Sequence, residues 1–308
     1  MNNFSPSNLK AVLLAILVTF LWSTSFIIIK WGLVEIPPLT FAGLRYFMAF
    51  LCLLPFAFRK KNISELRKLN SKIILKLFLL GILFYSFTQG AQFFGLYYLP
   101  AVTVSLLLNL TPIIVAVLAI FMISETPTFL QWFGMILFIA GVLFYFYPVI
   151  FSDNQTLGII IMTVGVLANA LSAVLGRDIN RSGKITPYTV TLISMGIGSF
   201  ILLIVGIITQ GLPPLSMKNI LYLLWLAIVN TAFAFTLWNF TLKTLTAMES
   251  SIINGTMLVQ IAVLAYFFLG ERISFKEGIG LFMAGLGAIL VQLKFRKRIN
   301  LDGQFKLN

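Results

Sequence analysis

The side chains that could do chemistry in this chain are polar residues set inside long apolar runs. Tyr85, Gln89 and Gln92 fall at helical spacing on one face, as do Ser105, Asn109 and Pro112, and Trp22 with Ser25 interrupts an earlier run. Comparable positions recur later: Asn169 with Ser172, then Trp238, then Ser251 with Asn254 and Gln260. In hydrocarbon such groups are stable only against a protein partner or a wet cavity, so they mark candidate cavity walls. A ring of neutral amides and aromatic faces suits noncovalent binding of a zwitterion or a flat polar metabolite. The competing use of Ser, Asn and Gln at this depth is to join helices, through hydrogen bonds worth about 0.6–2 kcal/mol. Trp22, Tyr85 and Trp238 equally suit packing or an interfacial belt. Pro112 removes a backbone hydrogen bond in mid-helix and supplies a kink.

Charged groups are scarce among the apolar runs. Lys30 stands near the end of the first run, where its stem can reach the headgroups. Arg45 stands about seven residues, roughly 10 Å, beyond Pro38, a depth that calls for a partner or water and favours an inward structural or substrate-carboxylate role. The acidic residue nearest to it in sequence is Glu35. The nine acids lie in loops or at helix ends and there is no His, so Glu249 and Lys30 are the only near candidates for proton or ion coupling, which stays open. The one cysteine, Cys52, excludes an intrachain disulfide and a cysteine-rich metal site. No nucleophile with a base, and no converging His, Cys and carboxylate set, assembles at membrane depth. The expectation is a protein that is not an enzyme and has no cofactor and no metal.

These residues need elements to hold them. Of 308 residues, 59% are apolar and 10% charged, against about 25% charged in a soluble domain. Apolar runs of about 20 residues match a hydrocarbon core of roughly 30 Å. The fold class expected is all-α integral membrane, with ten transmembrane helices near 10–33, 39–58, 73–96, 100–123, 129–150, 157–177, 188–209, 219–241, 247–269 and 275–293. Breakers such as Pro37-Pro38, Pro100, Pro127 and Pro213-Pro214 separate them. With the N-terminus inside, 17 Lys and Arg lie on the inner side and 4 on the outer, which places both termini in the cytoplasm of a cell membrane. The same rule accounts for the formal charge of +13 without nucleic acid as a partner. The expected partners are the lipid bilayer and a small-molecule substrate.

The chain also repeats itself. Laying 94–141 over 240–287 at a constant offset sets Ala116 to Ala119 over Ala262 to Ala265, Glu125 over Glu271, Gly134 over Gly280 and Gly141 over Gly287. Gln92 falls over Trp238, and a one-residue shift sets Ser25 over Ser172 and Lys30 over Arg177. The division expected is a first five-helix repeat at 10–150, a second at 156–294 and a basic cytoplasmic tail at 295–308. Five spans is an odd number, so the second repeat enters from the opposite side. Such inverted-topology repeats support alternating access. The glycines of the fifth and tenth helices read as packing seams, and Glu125 and Glu271 as structural groups bonding to loop backbone.

The stretch Trp22-Ser23-Thr24-Ser25-Phe26, then Lys30, Pro37-Pro38 and Phe41-Ala42-x-Leu44-Arg45, resembles the start of an EamA domain of the drug/metabolite transporter superfamily. Apolar runs closing on Glu125 and on Gly270-Glu271-Arg272 resemble that domain's later motif. The second copy departs at its start, where Asn169-Ala170-Leu171-Ser172 replaces the Trp-Ser pattern. The resemblance implies a ten-helix carrier, many of whose relatives export amino acids or related metabolites. A channel or lipid flippase needs the same polar path, and a structural membrane subunit would use the amides for assembly alone. Saturable counterflow separates a carrier from the first two, and unchanged flux after replacement of Gln92, Asn109 or Trp238 would mark the third.

Overall fold

The computed structural model describes residues 6–58, 65–66, 69–123, 128–148, 152–181, 185–241, 244–245, 250 and 253–292. Glu125, Glu249, Ser251 and the tail 295–308 lie outside them, as does the side chain of Arg177. Every regular element among the described residues is a helix: α1 Pro6–Gly32, α2 Pro38–Ala57, α3 Ser71–Tyr98, α4 Ala101–Leu108, α5 Thr111–Ile123, α6 Phe129–Phe146, α7 Asp153–Arg181, α8 Pro187–Gln210, α9 217–241, α10 Met257–Leu269 and α11 Phe275–Gln292. Seven stretches are long and apolar enough to cross a bilayer, and Met217–Phe233 and Ile253–Leu269 are shorter apolar helices.

Three helices depart from the regular spans expected. The fourth run is two helices, α4 and α5, parted at Asn109–Leu110. Pro112 has no N–H to give the carbonyl four residues back, that of Leu108, and its ring crowds that group, so the helix breaks just before the proline rather than kinking at it. Asn109 completes the break by turning its side-chain amide onto the Ser105 carbonyl at 2.8 Å. α3 and α9 each contain a π-helical segment, Gly81–Thr88 and Trp225–Phe233. In each, a threonine hydroxyl (Thr88, Thr231) donates to the carbonyl five residues back (Leu83, Leu226) at 2.8 Å. A widened turn frees backbone acceptors, and a hydroxyl inside the same segment satisfies one of them.

Lipid tails are as apolar as leucine, so helices associate through close contact and internal hydrogen bonds rather than by hiding hydrophobic faces. Phe129, Phe275 and Phe267 are accordingly 89%, 87% and 73% exposed. Two seams are made by glycine. On the α6–α11 seam a Cβ at Gly141 would lie 2.5 Å from the Ala284 nitrogen, and one at Gly287 2.5 Å from that of Phe138. On the α2–α8 seam a Cβ at Gly43 would lie 2.5 Å from the Leu203 Cα, and one at Gly206 2.6 Å from the Thr40 nitrogen. Several of the remaining contacts come in exchanged pairs. α1 lies against α9 and α10, as α7 lies against α3, α4 and α5; α2 touches the π-helical part of α9, as α8 touches that of α3.

Helix ends are held across the bundle. Gln210 at the end of α8 accepts from the Leu39 amide at 2.8 Å, and Thr40 returns a bond to the Gly211 carbonyl. Glu271 accepts from the amides of Ala101 and Val102 at 2.7 and 3.2 Å, satisfying two donors at the start of α4. Glu35 holds Ser216 and Asn219 at the start of α9. Glu65 accepts from the Thr186 amide ahead of α8.

Gly287→Val should cost about 1–3 kcal/mol by overpacking against the α6 backbone, read as a lower melting temperature of the purified protein. Gly278→Ala, nine residues earlier on α11 where nothing lies within 4 Å, should not lower it.

Candidate functional site

A cavity of about 390 Å³ lies where α1, α2, α3, the α4–α5 break, α7, α9 and the start of α10 converge. Seven of the expected binding residues line it: Trp22, Ser25, Gln89, Gln92, Asn109, Asn169 and Asn254. Arg45 lines it as well. Each is held by an identifiable contact or by its position on a helix. Ser25 accepts from the Asn230 amide at 2.7 Å. Gln89 accepts from the Tyr46 hydroxyl at 2.6 Å, which aims its remaining amide group. Asn169 donates to Thr111 at 3.1 Å and ties α7 to the first turn of α5. Asn254 is exposed to the cavity just before the turn at Thr256 that precedes α10.

Tyr85 and Trp238 do not line the cavity. Tyr85 is 5% exposed and packs edge-on against Tyr46 and Phe84, at centroid distances of 5.7 and 4.9 Å. Its expected place on the Gln89 face assumed α-helical pitch, and the π-helical segment between them changes the register. Trp238 stands behind Trp22, ring centroids 5.3 Å apart, and packs on Ala11, Ala15, Leu245 and Ile253. Gln260 faces α1 instead, bonding to Thr19, Ser23 and Thr256.

Arg45 is 4% exposed. Its Nε donates to the Thr231 hydroxyl at 3.3 Å and its guanidinium lies 5.0 Å from the centroid of the Tyr46 ring. Glu35, the acid nearest in sequence, is engaged with Ser216 and Asn219 at the start of α9 and does not pair with it. Among the described residues the ion pair present is Lys76–Asp178, which is exposed and joins α3 to α7. Arg45 is thus the one formally charged residue among those lining the cavity. Removing such a cation from water costs several kcal/mol even after relaxation. Lys30 is partly buried near the end of α1 and interacts with the carboxylate of Glu271 rather than with the cavity.

Trp22 contributes a second unspent group. Its indole Nε1 is buried with no acceptor among the described residues, while its ring packs on Phe235 at 5.2 Å. Sequence reasoning passed over Tyr46, Thr88, Asn230, Thr231 and Phe235. Asn230 and Thr231 carried the same signal as the residues chosen, polar groups within an apolar run; Tyr46 and Phe235 carried none, because an aromatic residue in a membrane helix is ordinary.

The sequence pattern of the EamA-like transporter family matches this chain twice, over residues 9–147 and 156–293. The uncharacterized transporter YoaV of Bacillus subtilis is 26% identical over 94% of this chain and 99% of its own. A Salmonella typhimurium protein named as a probable amino-acid metabolite efflux pump is 27% identical over 94% of this chain and 98% of its own. A protein of known crystal structure superposes with a TM-score of 0.66 at 16% identity, covering 91% of this chain and 96% of that one, and so shares its fold. With the family pattern matched twice across nearly the whole length of an apolar, many-helix chain, this multi-pass membrane protein belongs to the EamA-like transporter family.

Proposed function

We propose that the protein is a carrier that moves an amino acid or a related small carboxylate-bearing metabolite out of the cell, through the cell membrane, by alternating access. The observation that carries this reading is Arg45, a buried cation facing a polar cavity with no carboxylate of the described protein to neutralise it. A substrate carboxylate about 4 Å away, at an effective dielectric of about 20, gains on the order of 4 kcal/mol from it. The Trp22 N–H donates to the same group or to a neighbouring acceptor. Neutral amides and aromatic faces around the rest of the cavity accommodate an ammonium without repelling the anion. The name borne by the Salmonella relative points the same way.

In this reading residues 10–150 and 156–294 are five-span halves inserted in opposite senses, giving ten spans with both termini cytoplasmic. The exchanged contact pairs and the two π-helical segments support it, since these features of one half recur in the other. The α2–α8 and α6–α11 seams are the fixed parts, and the broken and widened helices around the cavity are where the two halves change their relation. No carboxylate lines the cavity among the described residues, and Lys30 and Glu249 stay the candidates should transport be coupled to a proton or ion.

The test is counterflow of labelled amino acids into vesicles reconstituted with the purified protein, at equal pH on both sides. Saturable, substrate-selective counterflow is expected; conductance at near-diffusive rates would replace the carrier with a channel. Arg45→Met should lower kcat/KM at least about 30-fold, the loss that follows from 2 kcal/mol or more for one partner of a buried charge pair. Its melting temperature should be equal or higher, because an unpaired buried charge is removed; a variant that transports normally overturns the assignment. Trp22→Phe keeps the ring and loses the donor, and should raise KM about five- to tenfold, the effect of roughly one hydrogen bond.

A further inference from the structure

A second hollow, of about 730 Å³, runs between α10 and α11, and its walls are almost wholly apolar, with Leu258, Val259 and Val263 on one side and Leu281, Phe282 and Leu286 on the other. Its polar members, Thr256, Gln260 and Tyr266, leave it apolar overall, and Gln260 is turned to α1 and donates to Thr256. Its walls include three glycines of a different kind from those in the seams. A Cβ at Gly278 would meet nothing within 4 Å, one at Gly285 only the Leu258 Cδ2 at 3.8 Å, and one at Gly255 the Ile289 Cγ1 at 3.4 Å. Gly280 and Gly287 on the same helix are closed against α6. None of the three brings backbones together: Gly278 and Gly285 leave room, and at Gly255 the neighbour is the Ile289 side chain.

The outer rim of the groove opens on the apolar surface of the bundle, where Val259, Phe267 and Phe282 are each about two thirds or more exposed. Its inner limit is shared. Gly255 lines both the groove and the polar cavity that holds Arg45 and Trp22, while Met257 and Ile261 face the cavity and Leu258 and Ala262 face the groove. α10 is thus the partition between a polar and an apolar compartment, and the partition has no side chain at Gly255, next to the turn at Thr256. Charge at one end and hydrocarbon at the other is the complement of an amphiphile.

We propose that the groove is the tail subsite of this carrier, so that its cargo is an amphipathic amino carboxylate, with the polar head in the cavity and an alkyl chain passing Gly255 into the space between α10 and α11. This rests on the carrier reading for the head and adds a site for the tail. Burying each further methylene in such a groove tightens binding about fourfold, from roughly 0.8 kcal/mol per CH₂. In a cavity closed at Gly255 the gain would stop or reverse once the chain outgrew it.

The probes are straight-chain 2-amino acids from alanine to 2-aminodecanoate, titrated calorimetrically into the protein in nanodiscs, with Arg45→Met nanodiscs subtracted to remove partitioning into lipid. Dissociation constants should fall about fourfold per methylene along the series. In Gly285→Leu, and independently in Gly278→Leu, the shortest members should bind as to the unaltered protein while the slope flattens. A flat or rising series in the unaltered protein overturns the tail subsite, as does an unchanged slope in both leucine variants, and in either case binding and counterflow of the short members leave the carrier standing. If no member binds better than to Arg45→Met, the head site fails and the carrier assignment fails with it.

Discussion

Hydrocarbon offers no hydrogen bonds, so each polar group within the bundle has to be met from inside it, and this governs where the helices of this protein can be irregular. The α4–α5 break at Asn109–Leu110 is met by short-range turns from the Asn109 and Leu110 amides and by the Asn109 side chain, which donates to the Ser105 carbonyl. The π-helical segments of α3 and α9 do the same with Thr88 and Thr231. All these irregularities lie at or beside one cavity, where water and cargo can take over what the helix gives up. The same requirement makes Arg45 informative. Its hydroxyl partner and its aromatic neighbour hold it in place without neutralising it.

Glycine divides the bundle by mechanical role. Where a Cβ would collide with backbone, as at Gly43, Gly141, Gly206 and Gly287, helices are locked in contact along two seams. Where it would meet open space, as at Gly278 and Gly285, the residue keeps a groove clear. Both sorts occur on α11, two residues apart, and face opposite ways around the helix.

The two halves differ at one position that faces the cavity. α2 and α8 each begin with proline, at Pro38 and Pro187, and the seventh residue beyond is Arg45 in the first and Ser194 in the second. Ser194 spends its hydroxyl on the Val190 carbonyl 2.6 Å away. A duplicated scaffold therefore presents a cation to the cavity from one of these two positions only, which gives the repeated frame a polar direction.

The sequence by itself determined the solvent, the helical class, the repeat and half of the residues around the cavity, because an intramembrane amide must face protein or water whatever the details of packing. Asn109, Asn169 and Gln92 were legible for that reason, and so was the depth of Arg45. Only the tertiary structure decided what lies next to what. Tyr85 left the cavity because a widened turn, unreadable from apolar periodicity, changed its register. Trp238 stood one layer back because Trp22 took the wall. Glu35, ten residues from Arg45 in sequence, was drawn away to α9. The difference between the glycine that clamps and the glycine that opens is likewise absent from the residue itself, since it depends on which helix lies across from it.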